Sequence, residues 1–298
     1  MIELSHPEAV PSAPASRRGN TAILVVPFLL VIVTFLFWRQ TWFGRRLSDQ
    51  EMDKFLTDTS VPHKTQHALA QLSERIAAGD QTARRWYPKL LDMARRPEPQ
   101  FRLMAAWAMG QDNHSEEFHR ALRTLVEDPE PQVRWNAALA LVRFGDSGGE
   151  SQLRSMLQSY VLRAPQTGTL RFRLRQKETL RSGSIVARIQ PGEGAKAIDV
   201  TSPLDGELSG LLSKDGALVN AGDPLADLAP GETQVWEALR GLYLVGGPDA
   251  LADVERFTRQ VPGMPERIRE QASLTAQAIR QRSTDAGPAA KSPAGDPP

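Results

Sequence analysis

The sequence predicts an α+β multidomain protein with a single transmembrane helix, an array of α–α helical repeats, and a small all-β unit inserted before the last helices. Three observations lead to this prediction. An uncharged apolar run occupies residues 22–38, a ten-residue motif recurs 32 residues further on, and the helical periodicity stops near residue 161. The predicted boundaries are 21–43 for the anchor, 48–159 for the repeats, 161–230 for the β unit and 231–282 for the C-terminal helices. These last helices are predicted to continue the repeat array, with an unrelated helical cap as the alternative.

Composition excludes several classes of function. The 298 residues carry 36 Lys and Arg against 35 Asp and Glu, a net charge of +1. Nucleic-acid binding normally requires a clear positive excess, so no nucleic-acid partner is expected. The chain has no cysteine. Disulfides, thiolate zinc sites and cysteine nucleophiles are therefore ruled out.

The apolar run near the N-terminus predicts a membrane anchor. Its 17 uncharged residues would form a helix about 26 Å long, which is at the short end of the range for a membrane span. Trp38, Trp42 and Phe43 follow it and suit an interfacial aromatic belt. A signal-peptide core and a buried core helix are the alternatives, but no small-residue cleavage site follows the run. The proline-rich ends, 1–20 and 283–298, are predicted to be disordered tails.

The motif after the anchor predicts a helical repeat. "PEPQFRLMAA" begins at Pro97, "PEPQVRWNAA" begins at Pro129, and the two agree at seven of ten positions. Each copy opens with a proline turn, continues with apolar residues at spacings of three and four, and is followed by a second helical pattern. The repeating unit is therefore a pair of helices.

The second copy resembles the short bacterial HEAT-like repeats, including those of the phycobilisome-lyase type. That resemblance implies stacked antiparallel helix pairs with a shallow curved surface that binds other proteins. The residues that carry it are Pro131, Val133, Arg134, Ala137, Ala138, Ala140, Leu141 and Gly145.

Residues 161–230 predict a duplicated β unit. Short alternating runs are separated by Gly, Asp and Asn turns. Gly168 and Leu170 recur as Gly206 and Leu208 at an offset of 38. A second set recurs at an offset of 39, pairing Gly183, Ala187 and Ile189 with Gly222, Ala226 and Leu228. Two such halves can close over one another and bury a shared core.

The second half of this unit resembles a biotinyl/lipoyl-type barrel-sandwich hybrid domain. The matching positions are Pro203, Asp205, Gly206, Gly216, Val219, Gly222, Asp223 and Leu225. The resemblance implies either a cofactor carrier or a cofactor-free part of the adaptor subunits of efflux pumps and type I secretion systems. In lipoyl domains the modified lysine stands seven residues before the Ser-Pro serine, a position held here by Ala195.

Lys196 is one residue late for the carrier role. A shift of one residue in a strand turns a side chain to the opposite face, so the cofactor-free interpretation is favoured and no cofactor is expected. A carrier modified at Lys196 is the alternative. The eight residues "QPGEGAKA" replace the long coiled-coil hairpin of efflux adaptors, which argues against a complete tunnel-forming adaptor.

No catalytic or metal-binding constellation was found, so the protein is predicted not to be an enzyme. Phosphate-loop, nucleophile-elbow and zinc-helix motifs are missing from the sequence, and its histidine pairs lack a third ligand. Four repeat residues are candidates for partner binding. Trp107 and Trp135 either fill the repeat core or serve as contact hot spots. Arg102 and Arg134 share one repeat position and are most simply ladder residues between repeats.

These observations predict a non-catalytic, membrane-anchored scaffold or adaptor that binds other proteins, such as subunits of a transport or other membrane complex. Its expected location is the bacterial inner membrane, reached through residues 21–43. The arginine count slightly favours a cytoplasmic body, whereas the adaptor resemblance favours a periplasmic one. A lyase-like activity, implied by the phycobilisome-lyase repeats, is a further alternative.

Overall fold

A computed structural model describes residues 45–192 and 194–285. The predicted anchor at 21–43 and the tail at 1–20 lie outside the described residues, as does most of the tail at 283–298. Within the described part of the chain, no helix has the length and apolar character needed to span a bilayer. The last helix continues to Asp285, three residues into the stretch predicted to be a disordered tail.

Among the described residues, seven helices precede the β unit and three follow it. They are α1 Asp49–Thr57, α2 Pro62–Ala77, α3 Tyr87–Met93, α4 Pro99–Met109, α5 Glu116–Leu125, α6 Pro131–Arg143, α7 Glu150–Met156, α8 Glu232–Val245, α9 Leu251–Glu255 and α10 Glu266–Asp285. Short 3₁₀ turns lie before α3 and α7 and on both sides of α9, at Gln81–Trp86, Ser147–Gly149, Pro248–Ala250 and Arg256–Thr258.

A proline starts the first helix of each pair, and in α4 and α6 it belongs to the repeated motif. Pro62, Pro99 and Pro131 each occupy the first turn of their helix, where a missing N–H costs nothing because that group has no intrahelical partner. The second helical segment of each pair begins with a polar cap, and Asp80 and Asp146 cap the 3₁₀ turns that lead into α3 and α7. Ser115 accepts a hydrogen bond from the backbone N–H of Phe118 and so caps α5.

Small residues let the helices pack closely. Helices α2, α4 and α6 stack side by side, and each contacts the next. A Cβ at Gly110 would lie 2.9 Å from the Cβ of Ala140, and one at Gly149 would lie 2.7 Å from the Cβ of Ala138. The apolar faces predicted for the two motif helices are buried as expected, at Phe101, Ala105, Ala108, Val133, Ala137, Ala140 and Leu141.

The β unit contains eight short strands in two antiparallel sheets. The strands are β1 Tyr160–Arg163, β2 Gly168–Phe172, β3 Thr179–Leu180, β4 Ile185–Gln190, β5 Ile198–Thr201, β6 Gly206–Leu211, β7 Leu218–Val219 and β8 Pro224–Pro230. One sheet has the order β1-β8-β6-β3 and the other β5-β4-β2-β7. In the part of the chain that the structure describes, the sheets stay separate and form no closed barrel.

The duplication seen in the sequence is present in this topology. The two sheets have equivalent strand orders. Strands β1, β8, β6 and β3 of the first sheet correspond to β5, β4, β2 and β7 of the second, and each corresponding pair is four strands apart in the chain. Each sheet therefore takes two strands from each half of the duplication. Leu170 and Leu208 occupy equivalent positions in β2 and β6, and both are fully buried. Neither half could bury this core alone, as the repeat predicted.

The helices on either side of the β unit pack against each other. Helix α8 contacts α7 and α6, and α10 lies along α8. The β unit is also held to the array directly, since the side-chain amide of Gln132 on α6 donates to the carbonyl of Pro203 and to the hydroxyl of Ser182. Both acceptors lie in turns at one end of the sheets.

Candidate protein-binding groove

Arg102 has a structural role at the junction between repeats. Its Nε and Nη2 donate to the two carboxylate oxygens of Asp128 at 2.7 and 2.9 Å, and its Nη1 donates to the carbonyls of Arg96 and Pro97. Both side chains of the ion pair are nearly buried, at 12% and 5% exposed. Burial disfavours ionised Asp128, but hydrogen bonds from Arg102 and from the backbone N–H of Glu130 hold its pKa below the ordinary range.

Arg134 repeats this arrangement in the next helix pair. Its Nη1 donates to the carbonyls of Asp128 and Pro129, which stand six and five residues before it, the same offsets as for Arg102. Its Nε donates to the side chain of Gln152 instead of to a carboxylate. Arg102 thus bonds across the junction between two repeats, whereas the bonds of Arg134 stay within its own helix pair and the loop that precedes it.

The two candidate tryptophans lie in different environments. Trp135 is 7% exposed, donates from Nε1 to the hydroxyl of Ser155 at 2.9 Å, and meets the ring of Tyr160 edge-on. It joins α6 to α7 and to the first strand, so its ring belongs to the core. Trp107 on α4 is 45% exposed and is therefore accessible to a partner.

Trp107 opens onto a groove of about 460 Å³ that crosses three helices. Leu139 on α6 and Leu244 on α8 line the groove with it, and Leu244 is 61% exposed. Gly110 and Gly241 also line the groove, and an added Cβ at either position would lie close to a neighbouring side chain, Ala140 or Leu153. The groove therefore exposes large apolar side chains from two of its three helices.

The groove is built from equivalent positions of successive repeats. Leu139 stands 32 residues after Trp107, and Arg143 stands 32 residues after Gln111. Since side chains three and four apart share a helix face, each helix contributes one row of the groove. Helix α8 supplies the third row through Arg240 and Leu244, which are also four residues apart.

Charged groups flank the apolar centre. Arg143 donates to the side-chain oxygen of Gln111 at 2.9 Å. Among the described residues, neither Arg143 nor Arg240 has a carboxylate within ion-pair distance. Glu237 is the one acidic residue that lines the groove. Burial raises the pKa of its carboxyl, and the charge of Arg240 opposes that shift.

A second hollow of about 320 Å³ continues the groove toward the β unit. Asn136, Leu139 and Glu237 line both cavities. The second hollow ends against Pro203 and Ser182, the turns that Gln132 holds. The groove and the β unit therefore form one continuous surface.

Lys196 is exposed in the connection between β4 and β5, two residues before β5 begins. The sequence prediction that its side chain points away from the hairpin tip assumed that Lys196 lies in a strand, where successive side chains alternate between faces. Because the residue lies in the connection, strand alternation does not determine where its side chain points.

The histidines form no metal site in the described part of the chain. His67 contacts the side chain of Gln71. His119 lies 2.7 Å from Asp146 and stacks on the ring of Phe144. Burial disfavours ionised Asp146, but hydrogen bonds from the backbone of Gly148, from His119 and from Arg123 hold its pKa below the ordinary range.

Comparison with known proteins identifies the repeats. The family model described as HEAT repeats matches residues 87–165. No curated protein matches the chain. Among solved structures, a single-chain, multi-domain long-chain acyl-CoA carboxylase is 19% identical, with a TM-score of 0.24, over 48% of this chain and 16% of that chain. The matched segment thus resembles HEAT repeats, a kind of module that generally mediates protein–protein interaction.

Proposed function

We propose that the protein is a non-catalytic, membrane-anchored scaffold whose groove binds a protein of a transport or other membrane complex. The observation that carries this proposal is the exposed Trp107, which shares one groove with Leu139 and Leu244 across three helices.

The composition of the groove supports a protein partner. Interfaces commonly have an apolar centre with an aromatic anchor and a polar rim, and Trp and Arg are enriched at the positions that contribute most binding energy. The groove combines these elements, since Trp107, Leu139 and Leu244 line it together with Arg143 and Arg240. Solenoid repeats use extended surfaces of stacked helices for the same purpose.

The membrane part of the proposal rests on the apolar run at residues 22–38. A reporter fused to the C-terminal end would establish on which side of the membrane the body lies. Activity outside the cytoplasm alone would support the periplasmic body implied by the adaptor resemblance, and activity inside would support the arginine count.

The β unit is proposed to be a cofactor-free barrel-sandwich hybrid. The exchange of strands between its two halves supports that assignment. The intact mass of the native protein tests the absence of a cofactor. An adduct on Lys196 would contradict it and support the carrier alternative.

Photocrosslinking in native membranes tests the groove directly. A photoreactive amino acid replaces Gln111, which lines the groove, or Arg120, which is exposed on the second helix of the same pair. The proposal predicts discrete protein adducts from position 111 that are lost when Trp107→Ala is added. Equal labelling from positions 111 and 120 would contradict a docking role for the groove.

A further inference from the structure

A second surface, at the other end of the β unit, combines free positive charges with exposed leucines. It consists of Arg173, Arg175 and Lys177 in the β2–β3 connection and of Leu211, Leu212 and Lys214 at the end of β6 and in the connection to β7. We call these six residues the basic leucine surface.

Hydrogen bonds at two points place the two connections side by side. At one point, the side-chain amide of Gln176 donates to the carbonyl of Ser209 at 2.7 Å. At the other, the backbone N–H of Phe172 donates to the carboxylate of Asp215 at 2.8 Å. Residues 173–175 and 210–214 both run between these two points. The cations of the first stretch therefore lie next to the leucines of the second.

The six side chains of the basic leucine surface are exposed. Leu211 and Leu212 are 44% and 46% exposed, and Leu218, where the chain enters β7, is 75% exposed. The two connections contain two carboxylates. Asp215 pairs with Arg171 at 3.3 Å, and Glu178 forms no ion pair with a described residue. In the described part of the chain, the four cations of the surface have no carboxylate within ion-pair distance.

The surface also lies away from the helices. Strand β6 begins at Gly206, next to the turn whose Pro203 carbonyl accepts from Gln132 on α6. It ends at Leu211, five residues later, which corresponds to about 17 Å along an extended strand. The helical array therefore does not cover the surface, and the groove at Trp107 belongs to a different part of the molecule.

We propose that the basic leucine surface binds an anionic phospholipid bilayer. Arginine and lysine next to anionic headgroups gain electrostatic free energy, while leucines beside them enter the acyl boundary. The long stems of Arg and Lys allow their charges to reach the headgroups as the leucines insert. Single-stranded nucleic acid fits the surface less well because its bases stack on aromatic rings, and the exposed apolar side chains here are aliphatic.

An environment-sensitive label at residue 212 tests this proposal. Because the chain has no cysteine, Leu212→Cys introduces a unique attachment site. The labelled full chain is placed in nanodiscs of phosphatidylcholine alone or with about 30% phosphatidylglycerol. We expect a blue shift of the emission in the anionic discs and a loss of that shift at about 0.5 M salt, where screening shortens to a few ångströms.

Matched variants separate lipid binding from general charge effects. Arg173→Glu with Arg175→Glu should abolish the blue shift. Arg95→Glu with Arg120→Glu changes the net charge equally on exposed positions of the helical array and should leave the shift intact. A label at Leu274→Cys, 54% exposed on α10, should report no difference between the discs.

Three results would overturn the proposal. They are an unshifted label at residue 212 in anionic discs, an equal shift in neutral discs, and loss of the shift in both pairs of charge variants. Binding of a single-stranded oligonucleotide without any lipid-dependent shift would assign the surface to nucleic acid instead.

Discussion

Arg102 and Asp128 form a two-pronged ion pair between successive repeats, with N–O distances of 2.7 and 2.9 Å. The pair joins the start of one motif helix to the loop that precedes the next. The remaining donors of Arg102 satisfy two backbone carbonyls, so its guanidinium fills a site that water would otherwise occupy.

Replacing one partner should therefore be costly. We expect Asp128→Ala to lower the free energy of unfolding by about 3 kcal/mol because it leaves the charge of Arg102 nearly buried and unpaired. Arg102→Lys keeps the charge but loses the planar fork, so its effect should be smaller. Thermal unfolding of the full chain in detergent measures both changes. Equal melting temperatures for the wild type and Asp128→Ala would contradict this role.

The same pair should make stability depend on pH. The pKa of Asp128 is lowered in the folded state. Its contribution is therefore complete above the unfolded value near 4 and is lost as the pH falls through the folded pKa. Asp80 adds to this dependence, since hydrogen bonds from Thr82 and Arg75 lower its pKa to about 2. Melting temperatures between about pH 7 and pH 3 should fall less steeply in Asp128→Asn than in the wild type. Parallel curves would show that Asp128 does not contribute.

The local patterns of the chain predicted more of the fold than of the site. The ten-residue motif and the spacing of Leu170 and Leu208 identified the repeats and the duplicated β unit because burial imposes a periodicity that the sequence retains. The groove was recognised only through Trp107. Arg240 and Leu244 on α8 form its third row. Helix α8 lacks the proline motif, and Arg240 follows Arg143 by 97 residues. The helical pattern that resumes after residue 230 predicts that these helices continue the array, but nothing local indicates that α8 lines the groove together with α4 and α6.

Lys196 illustrates a different limit. Counting back from Ser202 showed that Lys196 is one residue later than the modified lysine of lipoyl domains. Where its side chain points, however, depends on where β5 begins. The strand starts at Ile198, so the lysine is in a connection, and the alternation rule does not apply.

The close contact between Gly149 and Ala138 predicts a steric effect. A Cβ at Gly149 would lie 2.7 Å from both the Cα and the Cβ of Ala138, so α6 and α7 would have to move apart. We expect Gly149→Ala to destabilise the protein by about 1–3 kcal/mol, although alanine lowers the entropy of the unfolded chain. Gly192→Ala is the matched control, because no atom lies within 4 Å of its added Cβ. A melting temperature of Gly149→Ala at or above that of the control would show that the helices adjust without cost.

Alanine substitutions of the two tryptophans should have different effects, with Trp135→Ala lowering stability and Trp107→Ala lowering partner binding. Trp135→Ala removes a buried ring that contacts Tyr160 and bonds to Ser155, so it should cost about 3–5 kcal/mol of stability. Trp107→Ala removes a ring that is 45% exposed and should cost about 1 kcal/mol or less. Partner adducts from a photoreactive residue at position 111 should nevertheless be lost in Trp107→Ala. If this variant kept its adducts and its melting temperature, the exposed ring would have no part in binding and the groove would lose its proposed anchor.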